Sequence, residues 1–491
     1  VKKKNIVISV SSIETRIALL VDGVLLEYYL GRPEHGSIVG HIYKAKVLNL
    51  IPGLKAAFVD VGIDKNGFLP LNEIPFEDFS ELFENDIELE HEYRPEEIKL
   101  KKNQEIIVQV TKDSYGVKGP RVTSFISIPG RYIVILINAK NIGVSRKIRN
   151  RREREALFKL GKQIKPEGIG LIIRTAAARA KADEIKREVA VLMKNWEQNL
   201  MRAKEPAPAL IYKEPNTVIK TVRDLFNNEI RNLYIDSDPE YRKVLSYLSV
   251  VAPRMRSRVK LYSDPLAIFQ KFNIEEQLKD IQERKIWLRS GGYIVIDQTE
   301  ALVAIDVNTG KSSKEKQAER LALSTNLEAL REIARQLRLR DIGGLVVVDL
   351  IDLEKKENIN RMLREFKTLI RDDRARYRIG GISEFGLFEF TRERSRTSVT
   401  HAISEPCPMC KGRGRIKSKQ STVGYIERWF LNNGNTIKGK MTELRTSPRL
   451  ADFLSLYHAD TLAKLSKKYN LILRVKGDYS ISEGDFKVVV V

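Results

Sequence analysis

The chain has 491 residues, enough for about three or four domains with sizeable cores. Lysine and arginine outnumber aspartate and glutamate by 86 to 64, a formal net charge of +22 spread along the whole length, so nucleic acid is the first class of partner to expect. No segment approaches the roughly 20 apolar residues of a membrane span and no signal-peptide run opens the chain, so a cytoplasmic location is expected; two cysteines are too few for a disulfide scaffold.

Residues 4–30 read as three short antiparallel strands joined by turns at Ser11-Ser12 and Asp22-Gly23. Residues 36–118 read as a small all-β module with turns at Pro52-Gly53 and Asn66-Gly67. In its first strand Lys44 and Lys46 share one face while Tyr43, Ala45 and Val47 share the other; in the next, Ala57, Val59 and Val61 oppose Phe58 and Asp60. A Phe on a polar face, with Phe68 nearby, fits the stacking platform by which OB barrels hold single-stranded nucleic acid; an aromatic filling the barrel end is the alternative.

Residues 119–215 carry a strand at 132–137, a basic segment at 146–154, a strand at 170–174, and a helix whose Ile185, Val189, Leu192, Met193 and Trp196 share an apolar face. Arg174 and Thr175 end the second strand, where a guanidinium and a hydroxyl suit a terminal phosphate; a surface salt bridge is the plainer reading. Residues 206–215 read as a linker. Residues 216–273 hold helical patterns around a strand at 233–235, too little for a core, so they are expected to pack on the N-terminal strands.

Residues 301–352 organise the next region, 274–400. An apolar strand ends in Asp306-Val307-Asn308. A helical run follows, with Ala318, Ala322, Ala329, Leu330, Ile333 and Leu337 in register and Gly343-Gly344 closing it. A second apolar strand ends in Asp349 and Asp352. A strand-helix-strand unit puts its strands parallel, so Asp306 and Asp349 should meet at one sheet edge. Paired carboxylates there repel and lose hydration, a cost offset by protons or by a hard cation such as magnesium. Arg371, Arg374, Arg376 and Arg378, a strand at 385–390 and a basic run at 392–396 follow, placed to hold a phosphate backbone beyond the acids, or simply to be solvated.

Cys407-Pro-Met-Cys410 followed by Lys-Gly-Arg-Gly has the shape of a zinc knuckle. A structural zinc needs four ligands, no further cysteine exists and His401 is the one histidine nearby, so two chains sharing one zinc is the economical solution; a redox pair or idle thiols are the alternatives. Residues 416–491 read as a small α/β unit without visible chemistry.

Taken together, AIDVNTG at 304–310, LRLRDIGGLVVVDLIDL at 337–353, DRARYRI at 373–379 and CPMCKGRG at 407–414 resemble the ribonuclease E/ribonuclease G family of bacterial endoribonucleases. Ending on a short FKVVVV tail in place of a long polar extension, the chain is more like the family's ribonuclease G branch. The resemblance implies a multidomain α/β and β architecture. Residues 1–35 and 216–273 would form an RNase H-like domain in two pieces, 36–118 an OB-fold RNA-binding barrel and 119–215 a 5′-phosphate sensor. Residues 274–400 would form a DNase I-like catalytic domain, 401–415 a zinc link and 416–491 a small C-terminal α/β domain.

By the same resemblance Phe58, Phe68 and Lys118 bind RNA, while Gly130, Val134, Arg174 and Thr175 sense a 5′-monophosphate. Asp306 and Asp349 bind magnesium, Asn308 orients the site, and Cys407 and Cys410 form the zinc link. After Thr175 the sequence reads AAARAKAD, where the family usually has a glycine.

The expected function is therefore a magnesium-dependent, single-strand-specific endoribonuclease leaving 5′-phosphate and 3′-hydroxyl ends, with preference for 5′-monophosphorylated RNA, acting in rRNA processing and mRNA decay as a zinc-linked homodimer or a dimer of dimers. Magnesium would polarise the scissile phosphate and lower the pKa of a bound water, with Arg376 stabilising charge on the phosphate. The rivals are a non-catalytic RNA-binding or ribosome-assembly protein and a nucleotidyl-transfer enzyme; the latter would need a triphosphate site, and no G-x-x-x-x-G-K-[ST] loop is present.

Overall fold

The computed structural model describes residues 3–32, 37–74, 100–114, 118–137, 139–145, 147–148, 150–310, 318–394, 398–410 and 412–491. Gly36, Arg146 and Arg396, which open or close segments read above, lie outside them. The chain divides into two compact units, Val1–Ala402 and Ile403–Val491.

In the first unit, strands Lys4–Val10, Thr15–Val21 and Val24–Gly31 form an antiparallel run. Its second turn is the two-residue Asp22-Gly23, whose left-handed φ of 50° and 84° match the twist of a tight hairpin. Strand Ile230–Ile235 pairs in parallel with Lys4–Val10, and Val259–Leu261 extends the sheet. Two chain segments more than 200 residues apart thus share one core of Ile6, Ile8, Leu233 and Ile235 beneath helices Thr217–Leu225 and Asp238–Val251.

A closed barrel of five strands follows: Ile42–Ile51, Ala56–Asp60, Gly67–Pro70, Arg121–Thr123 and Glu105–Lys112, the last returning to pair with the first. Such a barrel is compatible with an OB-like domain. One of the five, Arg121–Thr123, lies beyond residue 118. The alternation read in the sequence holds, since Tyr43, Ala45, Val47, Ala57, Val59 and Val61 fill the interior. The expected linker at 206–215 is instead partly a strand: Ala209–Tyr212 pairs with the N-terminal half of Ile42–Ile51, and buried Ile211 joins the neighbouring core.

Strands Ser127–Pro129, Ile133–Leu136, Gly170–Ile173 and Ile142–Val144 make a four-stranded sheet covered by helices Arg151–Ile164 and Ala182–Leu200. Ile185, Val189 and Trp196 are buried on it, with Leu192 and Met193 at the margin.

The last sheet of this unit runs, edge to edge, Lys285–Trp287, Tyr293–Gln298, Leu302–Asn308, Gly344–Asp349, Phe388–Arg392, Tyr377–Ile382. Leu302–Asn308 and Gly344–Asp349 are parallel, joined through helix Ala318–Leu339, whose Ala329, Leu330, Ile333 and Leu337 are fully buried against the sheet. Helix Lys356–Leu369 covers the same side, where Phe366, Phe388 and Phe390 pack together at centroid separations of 4.8–5.2 Å; each such side chain contributes about 1.5–3 kcal/mol by burial. On the opposite face Ala304, Asp306, Leu345 and Asp349 are exposed. Gly343-Gly344 do not close the long helix. Asp341 does, with a left-handed φ of 50° and the Ile342 N–H reaching Leu337 O at 3.0 Å. The glycines instead admit Arg394, since a Cβ on Gly343 would lie 2.7 Å from its side chain.

The second unit carries a three-stranded sheet, Ile472–Gly477, Met441–Thr446, Phe486–Val490, with helices Lys419–Asn433, Pro448–Tyr457 and Ala459–Tyr469 around a core that includes Phe430 and Leu454.

Candidate functional site

Asp306 and Asp349 are direct partners in the parallel register, so their side chains leave the same face of the sheet at adjacent strands, about 5 Å apart in backbone spacing. Asn308, two residues on and therefore on that face, donates from Nδ2 to Asp306 Oδ2 at 2.7 Å, fixing one carboxylate oxygen. Both aspartates are exposed. The expected loss of hydration is therefore not part of their energetics; what remains is their mutual repulsion. A pair of solvent-facing carboxylates offering only oxygen suits a hard divalent cation that keeps most of its water. Among the described residues no group of three or more His, Cys, Asp or Glu side chains gathers as a ready-made metal cage.

Sequence reading missed the residues that hold this pair in place. Buried Asn326 on the long helix grips the backbone just past Asp349, donating to Ile351 O at 2.7 Å and accepting from Ile351 N at 3.0 Å. Gly292 lets the hairpin close on the other strand, because a Cβ there would stand 2.6 Å from Asn308 O. An Asn on the buried stripe of a helix was the legible signal, since a buried amide needs partners.

Arg376 is not brought to the aspartates. The residue after it, Tyr377, pairs with Arg392, and Arg392 pairs with Gly344, five residues before Asp349. That is roughly 16 Å along the strands, at the opposite end of the sheet. Arg376 is exposed there beside Lys147, whose ammonium reaches Arg374 O at 3.4 Å. Burial and then the Arg374 guanidinium hold Lys147 below the usual lysine range, and Arg376 adds to the effect. Elsewhere in the DRARYRI segment the roles are architectural. Asp373 accepts from Arg392 at 3.0 Å and from the Tyr377 hydroxyl at 2.7 Å, and Arg392 also reaches Asp341 at 2.8 Å, all but the tyrosine buried. Burial alone would raise the Asp373 carboxyl, but Arg392 holds it below the usual carboxylate range.

On the barrel, Phe58 and Phe68 lie outside the core, opposite one another across their strands and packed edge to face at 5.8 Å. The reading of Phe58 as barrel filling is thereby set aside. The segment bearing exposed Lys118 runs alongside, Phe68 N–H donating to Pro120 O at 2.7 Å and Gly119 passing so close to Asn66 that a Cβ would overlap its carbonyl. The barrel lysine Lys44 is already engaged, by Glu105 at 2.6 Å.

A third cluster forms around Gly130. Arg174 donates from Nη1 to Gly130 O at 2.5 Å and pairs with Asp224 at 2.8 Å, as the salt-bridge reading of this arginine expects. Burial would raise the Asp224 carboxyl, yet Arg223 and Arg174 hold it below the usual range. The Thr175 hydroxyl meets Ser145 Oγ at 3.0 Å, and the AAARA stretch after it forms the 3-10 turn Thr175–Arg179 with Ala177 buried. Val134 is half-buried opposite Ile172. The turn itself is organised by Glu188, which accepts from the backbone N–H groups of Arg131, Tyr132 and Ile133 at 2.6, 2.7 and 3.2 Å; burial pushes its carboxyl up against these donors. Gly130 is required there, since a Cβ would sit 2.7 Å from that carboxyl.

In the second unit, Cys407 is exposed and Cys410 half-buried. Backbone N–H groups of Gly414 and then Gly412 hold the Cys410 thiol below its usual range. In the first unit, His401 Nδ1 is occupied by Ser398 Oγ at 2.7 Å.

Comparison with known proteins adds three findings. Residues 127–395 match the model of the ribonuclease E/G family. The chain is 33% identical to ribonuclease G of Escherichia coli (strain K12) over 486 residues, 99% of both chains. It is 35% identical to ribonuclease E of Haemophilus influenzae over 477 residues, 97% of this chain and 50% of that one, and 37% identical to ribonuclease E of E. coli (strain K12) over 413 residues, 83% of this chain and 38% of that one.

Proposed function

This chain belongs to the ribonuclease E/G family, most like its ribonuclease G members, and is an endoribonuclease; from that premise we propose that it hydrolyses single-stranded RNA at the Asp306/Asp349 pair with magnesium as its cation, leaving 5′-phosphate and 3′-hydroxyl ends. The observation that carries the site is the parallel register of the two aspartates, with Asn308 bonded to Asp306. Neither aspartate has a lysine or arginine partner among the ion pairs of the described residues, so both keep oxygens free for a cation and its water. When bound, a divalent cation supplies Lewis-acid polarisation of the scissile phosphate and a water acidic enough to act as nucleophile near neutral pH. The water oxygen bonds to phosphorus, the bond from phosphorus to O3′ breaks, and O3′ leaves with a proton. Asn308 holds Asp306 in one rotamer throughout, and Asn326 holds the backbone that carries Asp349, which keeps both carboxylates at their stations.

The finer division of labour is part of the same proposal. The barrel acts as an OB-fold RNA clamp through Phe58, Phe68 and Lys118, favouring unpaired strands whose bases are free to stack. The cluster of Gly130, Val134, Arg174 and Thr175 senses a 5′-monophosphate. The sheet shared by residues 4–31 and 230–261 is RNase H-like, its order and single reversed neighbour fitting that class, and the sheet carrying the aspartates is DNase I-like. Cys407 and Cys410 contribute two of four ligands to a zinc shared with a second chain, making a homodimer. The substrates are rRNA precursors and mRNA, in the cytoplasm. Among the described residues no helix is long and apolar enough to cross a membrane.

The deciding experiment incubates end-labelled single-stranded RNA with the wild-type chain and with Asp349→Asn, with and without magnesium. Cleavage by the wild type alone, and only with the metal, supports the reading. Equal cleavage by both proteins removes the aspartates, and binding without any cleavage returns the non-catalytic alternative.

A further inference from the structure

Two aromatic side chains continue the row of the candidate catalytic residues across the sheet. Tyr293 is the register partner of Asn308, and Trp287 is the partner of Tyr293, so the three side chains leave the same solvent face on adjacent strands. In the parallel row, Asp349, Asp306, Val295 and Lys285 are successive partners. Trp287 is 64% exposed on the edge strand and meets Tyr293 edge to face at 5.3 Å. The Lys285 ammonium lies over both rings, 4.1 Å from the Trp287 centroid and 3.6 Å from that of Tyr293. A large indole held in one orientation, open to water, with a cation fixed against it, contributes little to the fold: the sheet's core lies on the other face.

We propose that Trp287 and Tyr293, with Lys285, form a subsite that stacks a base of the RNA strand next to the scissile phosphate. Two strand spacings, about 10 Å, separate the Trp287 strand from the Asp306 strand, within reach of a neighbouring nucleotide. The base lies against the open part of the indole, and the ammonium meets the phosphate that follows it. Stacking on an aromatic accepts any base, so the subsite grips unpaired RNA without reading sequence. The carboxylates repel a polyanion, and a cation-bearing stacking step beside them offsets that repulsion. The inference rests on the assignment of the reaction to Asp306 and Asp349.

The test uses the full chain, magnesium and a short single-stranded RNA with one cleavage site, together with a series bearing one abasic nucleotide at each position flanking that site. With the wild type, one flanking abasic position should raise KM by roughly 5- to 100-fold, the range base stacking on an aromatic supplies, with kcat little changed. Trp287→Ala should show that rise on the intact RNA and no further loss at that position, and Trp287→Phe should recover most of the affinity. A wild-type KM for Trp287→Ala, or losses that add at every abasic position, overturns the subsite. A change of sedimentation coefficient in Trp287→Ala also overturns it, by making this face a contact between chains. Asp349→Asn run in parallel separates the two readings. If it abolishes cleavage while Trp287→Ala behaves as wild type, the subsite alone falls; if it cleaves normally, the carboxylate assignment falls and the subsite's place with it.

Discussion

Arg174 and Asp224 form an ion pair of 2.8 Å in which the same guanidinium also donates to Gly130 O, so the arginine is held in one rotamer by a carboxylate and a carbonyl. A 5′-phosphate arriving there would find its charged partner already oriented. Replacing Arg174 by Ala removes the grip while Asp224 keeps its contact with Arg223 at 3.1 Å. Charge-assisted hydrogen bonds are worth about 1.5–3 kcal/mol, so kcat/KM on 5′-monophosphorylated RNA should fall about 10- to 100-fold, and that on 5′-hydroxyl RNA should hardly change. Paired kinetics on the two RNAs check this; equal losses on both would remove the sensor assignment.

Asp349→Asn keeps the shape of the side chain and removes one of two adjacent negative charges. Even partners that only orient metal ligands cost 10- to 100-fold when changed, so cleavage should fall by about 100-fold or more, while RNA binding in a gel-shift assay stays near wild type. A magnesium titration that restores normal rates at modest concentration would show that Asp349 is not a ligand.

Phe58→Ala should weaken binding of single-stranded RNA by about 1–3 kcal/mol at fixed salt. Because Phe58 lies outside the barrel core, the melting temperature should change little. Unchanged affinity would make the Phe58 and Phe68 pair a structural cover.

Cys407→Ser should lower zinc content and dimer content together. Serine's hydroxyl stays protonated near neutral pH, so one substitution per chain removes two of the four shared ligands. Wild-type protein should hold one zinc per two chains. A zinc-free mutant that still sediments as a dimer, or a wild type with one zinc per chain, would rule the shared site out.

Asp373→Asn should destabilise the fold by about 1.5–3 kcal/mol at neutral pH, because buried Arg392 loses one of its two carboxylate partners and keeps Asp341. Arg392 holds the Asp373 carboxyl below its usual range, so the pair's contribution is fully present above the unfolded value near pH 3.9 and is lost as pH falls through the folded pKa. The deficit of the mutant relative to wild type should therefore shrink below about pH 4. Urea unfolding across a pH series measures it; a deficit that does not vary with pH would argue against the ion pair as its cause.

Local periodicity by itself determined the strand-helix-strand unit at 301–352, the alternation of the barrel strands and the buried face of helix Ala182–Leu200. It also determined that Asp306 and Asp349 meet, because a crossover of this kind leaves parallel strands whose ends share an edge. Tertiary structure decided the rest. Arg376 follows Asp349 by 27 positions and was expected near it, but helix Lys356–Leu369 carries the chain back to the far end of the sheet, so the next strand starts level with Gly344, separated from it by strand Phe388–Arg392. The aspartates' exposure was hidden in the same way: an apolar strand is read as buried on both faces, whereas here only the face toward the two helices is covered. Trp287 and Tyr293 stand 19 and 13 residues before Asp306 in sequence, and only the hairpin register at Gly291-Gly292 aligns them with Asn308. Sequence spacing reports neighbours along one element; the order and direction of strands, set by which faces must bury apolar surface, report neighbours across elements.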